Sequence, residues 1–168
     1  MKTRVQLPDF GTYFHTKSLS PIDFTCRTPP NLFHDLVFLS SYVHDAQFRI
    51  ERIRLRGKTL KIPMERDRWE LYENLGRLES VSSQLTISPV FSMVWESEGK
   101  PLRKGTLPRS REFSIRRVYL AESFWEDSDK GEIIFKCHGK QQLKLRLTVS
   151  DVFVIHLEDR AENKSSKR

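Results

Sequence analysis

The stretch from Asn31 to Met64 constrains the fold most, because its apolar residues change their spacing partway along. In the first part they recur every three or four residues, as in a helix with one buried stripe: Leu32, Phe33, Leu36, Val37, Leu39 and Val43. Pro29-Pro30 precedes this part, and Asn31 is a favourable residue for a helix N-cap. After Ala46 apolar and polar residues alternate, which is typical of half-buried strands. The change of spacing predicts a helix that packs on a β-hairpin.

The predicted hairpin turns at Arg56-Gly57-Lys58-Thr59, where glycine tolerates the positive φ that tight turns require. Between Ile50 and Ile53 the alternation slips by one residue. A β-bulge would explain the slip, since one extra residue keeps the apolar side chains on the core face. We expect these apolar residues to lie in the core: Phe33, Leu36, Val37, Phe48, Ile50, Ile53, Leu55, Ile62, Leu145 and Ile155.

Further alternating segments extend the prediction to about seven strands, which short connections make antiparallel. The segments cover residues 84–96, 113–120, 133–137, 141–147 and 149–157. Pro89 predicts a bulge or an edge position in the first of them. Residues 66–79 fit either a short second helix or a strand that ends at Trp69. The predicted fold class is α+β, a mainly antiparallel β-sheet with one packed N-terminal helix and, on the first alternative, a short second helix.

The length of 168 residues predicts one domain. Residues 1–30, rich in proline and aromatic residues, are expected to form an irregular arm packed on the domain, with room for one short edge strand. Residues 31–159 form the predicted α+β domain, and residues 160–168 a frayed charged tail. The amino end lacks the apolar run of a signal peptide, and no segment is long enough to span a membrane. The sequence therefore predicts a cytoplasmic protein that does not enter membranes.

The formal net charge of +7 favours anionic partners, although it is also an ordinary device for solubility. The basic excess lies in the hairpin and in the loop 97–112, which is expected to be mobile. The alternative interpretation is the polar side of a half-buried sheet, because Glu51 and Glu65 interrupt the charge and no stacking aromatics are evident there. The candidate anion- or partner-binding residues are Arg49, Arg52, Arg54, Arg56, Lys61, Lys100, Arg103, Lys104, Arg109, Arg111, Lys144 and Arg146.

The sequence offers no persuasive catalytic or metal-binding motif. Gly57-Lys58-Thr59 resembles the end of a phosphate-binding loop, but Arg52 stands where the first glycine belongs. His34 and His44 would lie roughly 15 Å apart along a helix axis, too far to share a metal ion. Cys26 and Cys137 show no metal or redox spacing and are expected to be free thiols. We therefore predict no catalytic residue, metal or cofactor, and a protein that is not an enzyme.

One short motif carries a family resemblance. The segment Tyr42-Val43-His44-Asp45-Ala46 follows the helix and is itself followed by a strand, a glycine turn, Leu60-Lys61-Ile62 and a final apolar strand, Val152 to Leu157. This order resembles small bacterial His-Asp-Ala domains grouped with immunity proteins of polymorphic toxin systems. The long basic loop and the aromatic arm depart from that pattern. The resemblance implies a toxin-neutralising or other binding role, with no catalytic residues.

The preferred functional prediction is a non-enzymatic protein-binding domain of immunity type, with an unidentified protein partner. The alternative is binding of nucleic acid or another polyanion through a basic sheet face and the loop 97–112.

Overall fold

The structure is a computed structural model that describes residues 23–27, 32–69, 76–103, 105–108, 112–121 and 129–160. These residues contain one α-helix, the 3-10 turn Ile50–Arg52 and nine strands. The elements are β1 (Asp23–Arg27), α1 (Leu32–Tyr42), β2 (Gln47–Arg49), β3 (Arg54–Arg56), β4 (Thr59–Asp67), β5 (Ser80–Ser97), β6 (Lys100–Pro101), β7 (Glu112–Leu120), β8 (Lys130–His138) and β9 (Gln142–Asp159). The predicted antiparallel sheet with one helix is confirmed in this coarse form.

Six of the strands close into a barrel, in the order β9, β8, β7, β2, β4 and β5, with β5 pairing back onto β9. The closing pair runs from Ser83 opposite Asp159 to Glu96 opposite Lys144. β5 and β9 each pair with three strands, and their length of 18 residues leaves room for the third. Three short strands are added to this ring: β1 pairs with the end of β9, β3 with β4, and β6 with β5.

The core fills the barrel and continues under the helix. Inward positions of β9 are almost completely buried: Leu143, Leu145, Leu147, Val149, Phe153, Ile155 and Leu157. The helix packs against β7 and β1. Its buried side chains include Leu36, Leu39 and Val43 of the predicted stripe, and also Phe38 and Tyr42, which the sequence had not assigned to it.

The barrel interior contains a buried ion pair. Arg66 of β4 donates from Nε and Nη2 to the two carboxylate oxygens of Asp159 on β9, at 2.9 and 2.8 Å. Ser83 of β5 donates its hydroxyl to the same carboxylate at 2.7 Å. Because buried charges are costly unless they are paired and hydrogen-bonded, this cluster ties three strands to one another at fixed positions.

The slip between Ile50 and Ile53 has a different cause from the predicted bulge. Ile50–Arg52 form a 3-10 turn, in which the Ile53 N–H donates to the Ile50 carbonyl at 3.1 Å. The hairpin that follows is as predicted, with β3 paired to β4 and Gly57 at a φ of +59°. The prediction that Leu55 lies in the core is wrong. Its exposed fraction is 38%, because β3 is an edge strand with only β4 beside it.

Three other segments differ from the sequence-based expectation. Residues 141–147 and 149–157 form one continuous strand, β9, rather than two. Residues 97–101 are part of a hairpin rather than a free loop, and Leu102 and Leu107 pack against the core. β4 extends to Asp67 and residues 76–79 are not helical, which fits the strand alternative for 66–79 up to Asp67. Residues 70–75 lie outside the described residues.

The described part of the N-terminal arm, residues 23–27, forms the edge strand β1 beside β9. Residues 1–22, 28–31 and the tail beyond Arg160 lie outside the described ranges, as does the side chain of Phe33. The one helix in the described ranges is neither long enough nor apolar enough to cross a membrane.

Candidate functional site

The structure divides the predicted basic residues into separate groups. Three of them, Lys104, Arg109 and Arg111, lie outside the described residues. Two others have their charge compensated by carboxylates. Arg49 pairs with Glu112 at 3.0 Å. Arg146 pairs with Glu96 at 3.0 Å and with Glu132 at 2.7 Å. These hydrogen bonds raise the pKa of the Arg146 guanidinium above its usual value, and the bond to Glu96 has the larger effect.

The single basic sheet face predicted from the sequence does not form. Lys61 lies opposite Thr86 of β5, whereas Lys144 lies opposite Glu96 of the same strand. Ten residues of extended strand separate these two positions, which is about 33 Å. The prediction is wrong because alternation shows which side chains point outward but not where around a closed sheet they point. Lys100 lies on β6 and Arg103 lies just after it, and both are exposed. They are near the end of β5 that pairs with the Lys144 segment of β9.

A compact basic group remains on the β3–β4 hairpin. We call its members the hairpin cations: Arg52, Arg54, Arg56, Lys58 and Lys61, all exposed. Arg54 and Lys61 are direct cross-strand neighbours, an arrangement in which like charges repel. Arg54 donates to the backbone carbonyls of Glu51 and Ile53 rather than to a carboxylate. Within the described residues none of the five forms an ion pair, so their charge is locally uncompensated.

A second feature is a groove between α1 and β7, with a cavity volume of about 980 Å³. Its walls are mostly apolar, from Leu36 and Val37 of the helix to Val118 and Leu120 of the strand. Trp69 stands beside it with 41% of its surface exposed and donates its indole N–H to the His44 carbonyl at 3.4 Å. A groove of this size and composition suits an apolar side chain or a short apolar segment of a partner.

The rim of the groove contains the His-Asp-Ala motif. His44 Nδ1 lies 3.0 Å from the Asp45 carboxylate, and Arg116 donates to that carboxylate at 3.2 Å. Asp45 ends the helix with a φ of +60°, a left-handed conformation that aspartate tolerates. Its N–H donates to the Ile115 carbonyl at 2.8 Å. The motif therefore anchors the helix end on β7 and places the side chains of His44 and Asp45 at the groove.

A β-bulge in β7 supplies the arginines at this rim. Ile115 pairs with Cys137 and Arg117 with Lys136, which leaves Arg116 as the extra residue. The bulge exposes Arg116 and Arg117 side by side. Arg117 then lies over the ring of Tyr119, 5.5 Å from its centroid. Sequence reasoning missed both arginines, although the apolar alternation slips by one residue between Ile115 and Val118, which is the sign of a bulge.

Sequence reasoning also missed Phe91, because alternation within residues 84–96 predicts that it shares one face with Met93 and Trp95. The ring is 40% exposed and lies near the hairpin cations. Pro89 predicted a bulge, and register shifts in β5 follow Ser88 and Val90. Carrying the alternation across that bulge placed the ring on the wrong face.

The described residues offer little for catalysis. Within them, no three His, Cys, Asp or Glu side chains are placed to hold a metal ion. Cys137 is a free thiol, and burial raises its pKa to about 12. A thiol held neutral in this way is a poor nucleophile.

No family model, curated protein or solved structure matches the chain. The resemblance of the Tyr42 to Ala46 segment to immunity-type domains therefore stays a prediction.

Proposed function

We propose that the chain is a non-enzymatic protein-binding domain of the α+β class, of immunity type, that holds an apolar segment of its partner in the groove between α1 and β7. The observation that carries the proposal is the apolar groove of about 980 Å³ with Trp69 exposed at its side. Tryptophan, tyrosine and arginine dominate the energetics of protein interfaces, and Trp69, Tyr119 and Arg117 all line this groove.

The charges at the rim indicate the chemistry of the partner. Arg116 has a half-exposed guanidinium that shares Asp45 with His44, and Arg117 is exposed. Together with the net charge of +7, these side chains favour a partner segment with apolar residues flanked by acidic ones.

The test is capture of partners from the source cell by the immobilised chain, with nuclease treatment and at two salt concentrations. We expect a protein partner that survives nuclease and that Trp69→Ala releases, with an affinity loss of about 30-fold for a residue that contributes 2 kcal/mol. Val152→Ala is the matched control, because Val152 is an exposed apolar residue on β9 that does not line the groove. Equal capture by the wild type and Trp69→Ala would refute this assignment of the groove.

A second candidate function, binding of nucleic acid or another polyanion, is favoured by the hairpin cations. The uncompensated pair of Arg54 and Lys61 is costly to the fold and suits phosphate groups. Arg54→Gln should lower the slope of log K against log salt for duplex DNA by about 0.9. Arg49→Gln is the control, since Glu112 already compensates its charge, and it should change the slope less. Negligible binding of DNA and RNA near physiological salt would discard this candidate.

A further inference from the structure

The bulge in β5 turns an aromatic ring out of the barrel. Val90 pairs with Val149 and Ser92 with Thr148, so Phe91 is the extra residue between two successive positions of β9. Val90 is 1% exposed, whereas Phe91 is 40% exposed. Bulges commonly redirect a side chain next to a functional site.

Two ammonium groups from separate parts of the chain flank this ring. Lys58 Nζ, from the β3–β4 turn, and Lys130 Nζ, from the start of β8, each lie 4.8 Å from the ring centroid. The backbone holds the turn in place, because the Val90 N–H donates to the Lys58 carbonyl at 2.8 Å. A phosphate beside the ring would therefore be within reach of the flexible Lys58 side chain.

We propose that Phe91, with Lys58 and Lys130 beside it, forms a stacking site for one base of a single-stranded nucleic acid, with a flanking phosphate on Lys58. This inference rests on the second candidate function above and gives it a substrate class. An aromatic ring next to basic residues is the usual means of binding single strands without sequence preference. Duplex bases are stacked on one another and cannot offer a face to Phe91.

The existing lysine contacts do not block the site. An exposed cation–π contact is weaker than base–aromatic stacking, and the Lys58 ammonium gains a phosphate when it leaves the ring. The nucleic-acid strand would then run along the hairpin cations. The first of them is Arg56, which pairs with Thr59, the residue after Lys58. On the other side Asp129 and Asp151 adjoin Lys130, and the Asp151 N–H donates to the Asp129 carbonyl at 2.8 Å. These carboxylates make the electrostatic potential around Lys130 less positive, so Lys58 should contribute more to phosphate binding than Lys130 does.

The experiment titrates the full chain with fluorescein-labelled oligo-dT and oligo-U of 12 nucleotides and with a 12-base-pair duplex. Phe91→Ala should weaken binding of the single strands by about 5- to 150-fold, the value of one lost stacking contact. Phe91→Trp should retain binding, and the new indole fluorescence should be quenched by the stacked base. Lys58→Gln should reduce the salt slope for single strands by about 0.7, whereas Phe91→Ala should leave that slope unchanged. Val152→Ala, a nearby exposed apolar residue on β9, should bind as the wild type does.

The outcomes separate the site from the wider function. If Phe91→Ala binds oligo-dT as tightly as the wild type while Arg54→Gln binds less tightly, polyanion binding stands and the stacking site is overturned. If Val152→Ala weakens binding as much as Phe91→Ala does, the surface binds by general apolar contact, which also overturns stacking. If neither single strand nor duplex binds, both the site and the second candidate function fail.

Discussion

Asp159→Ala should destabilise the protein more than a typical substitution, because it removes the carboxylate that pairs with a guanidinium buried in the barrel. The Arg66 side chain is 0% exposed and makes two charge-assisted hydrogen bonds to Asp159. Ser83 would lose its acceptor as well, and Arg68, whose Nε lies 4.0 Å from the carboxylate, would remain nearby. Removing one member of a buried ion pair costs about 3–5 kcal/mol. Whole domains of this kind are stable by about 5–15 kcal/mol, so the loss is a large fraction of the total.

Urea unfolding at pH 7, followed by circular dichroism, measures this loss. With an m value of about 2 kcal/mol/M, the midpoint should fall by about 1.5–2.5 M. Glu112→Ala is the matched control, because it breaks the Arg49 pair at the surface, where the two side chains are 42% and 57% exposed. That pair should contribute only about 0.2–1 kcal/mol.

A double replacement tests whether the loss comes from the unbalanced buried charge. Arg66→Met combined with Asp159→Leu removes both charges and fills the space with apolar groups, so it should recover most of the stability that Asp159→Ala loses. A cost below about 1 kcal/mol for Asp159→Ala would refute the argument, since an ordinary exposed pair costs that little.

Three further predictions concern the core, a turn and a titration. Leu36→Ala should lower the free energy of unfolding by about 2–5 kcal/mol through lost burial and a cavity, and a loss under about 0.5 kcal/mol would place the helix at the surface. Gly139→Ala should cost about 1–3 kcal/mol, because a Cβ there would lie 2.8 Å from the buried Phe113 ring, whereas Gly105→Ala, with open space around it, should change stability little. Cys137 has a pKa raised from 9.0 to about 12, so its contribution to stability is complete below pH 9 and is lost as pH rises toward 12. Between those values the wild type should lose about 1.4 kcal/mol per pH unit more than Cys137→Ala in alkaline urea titrations, and parallel curves would contradict this.

The local elements could be predicted because their signals are local. The three-to-four spacing from Leu36 to Val43 predicted a helix, and α1 is there. The turn at Gly57 requires a positive φ, and the residue adopts it. Leu143, Leu145 and Leu147 alternate with charged residues and point inward. Each of these patterns involves only residues that are a few positions apart in the sequence.

The candidate sites could be predicted only in part. The excess charge near the β3–β4 turn is visible in the sequence, and the hairpin cations are its structural form. The sequence does not show that Arg49 meets Glu112, 63 positions away, or that Arg146 meets Glu96. The groove is equally hidden, because α1 and β7 lie far apart in the chain and meet only after the sheet has closed.

The sequence by itself determined the helix, most of the strand segments, the tight turn at Gly57 and the net charge of +7, because these properties follow from side-chain spacing and composition. Only the tertiary structure decided how the strands close, since that depends on pairing between β5 and β9. Closure put Arg66 and Asp159 together inside, separated Lys61 from Lys144 outside, and set the bulges that expose Phe91 and Arg116. Alternation has a period of two, so it shows only whether a side chain points into the barrel or out of it. Where on the outer surface that side chain lies depends on strand register, and register is fixed by contacts between residues that are distant in the sequence.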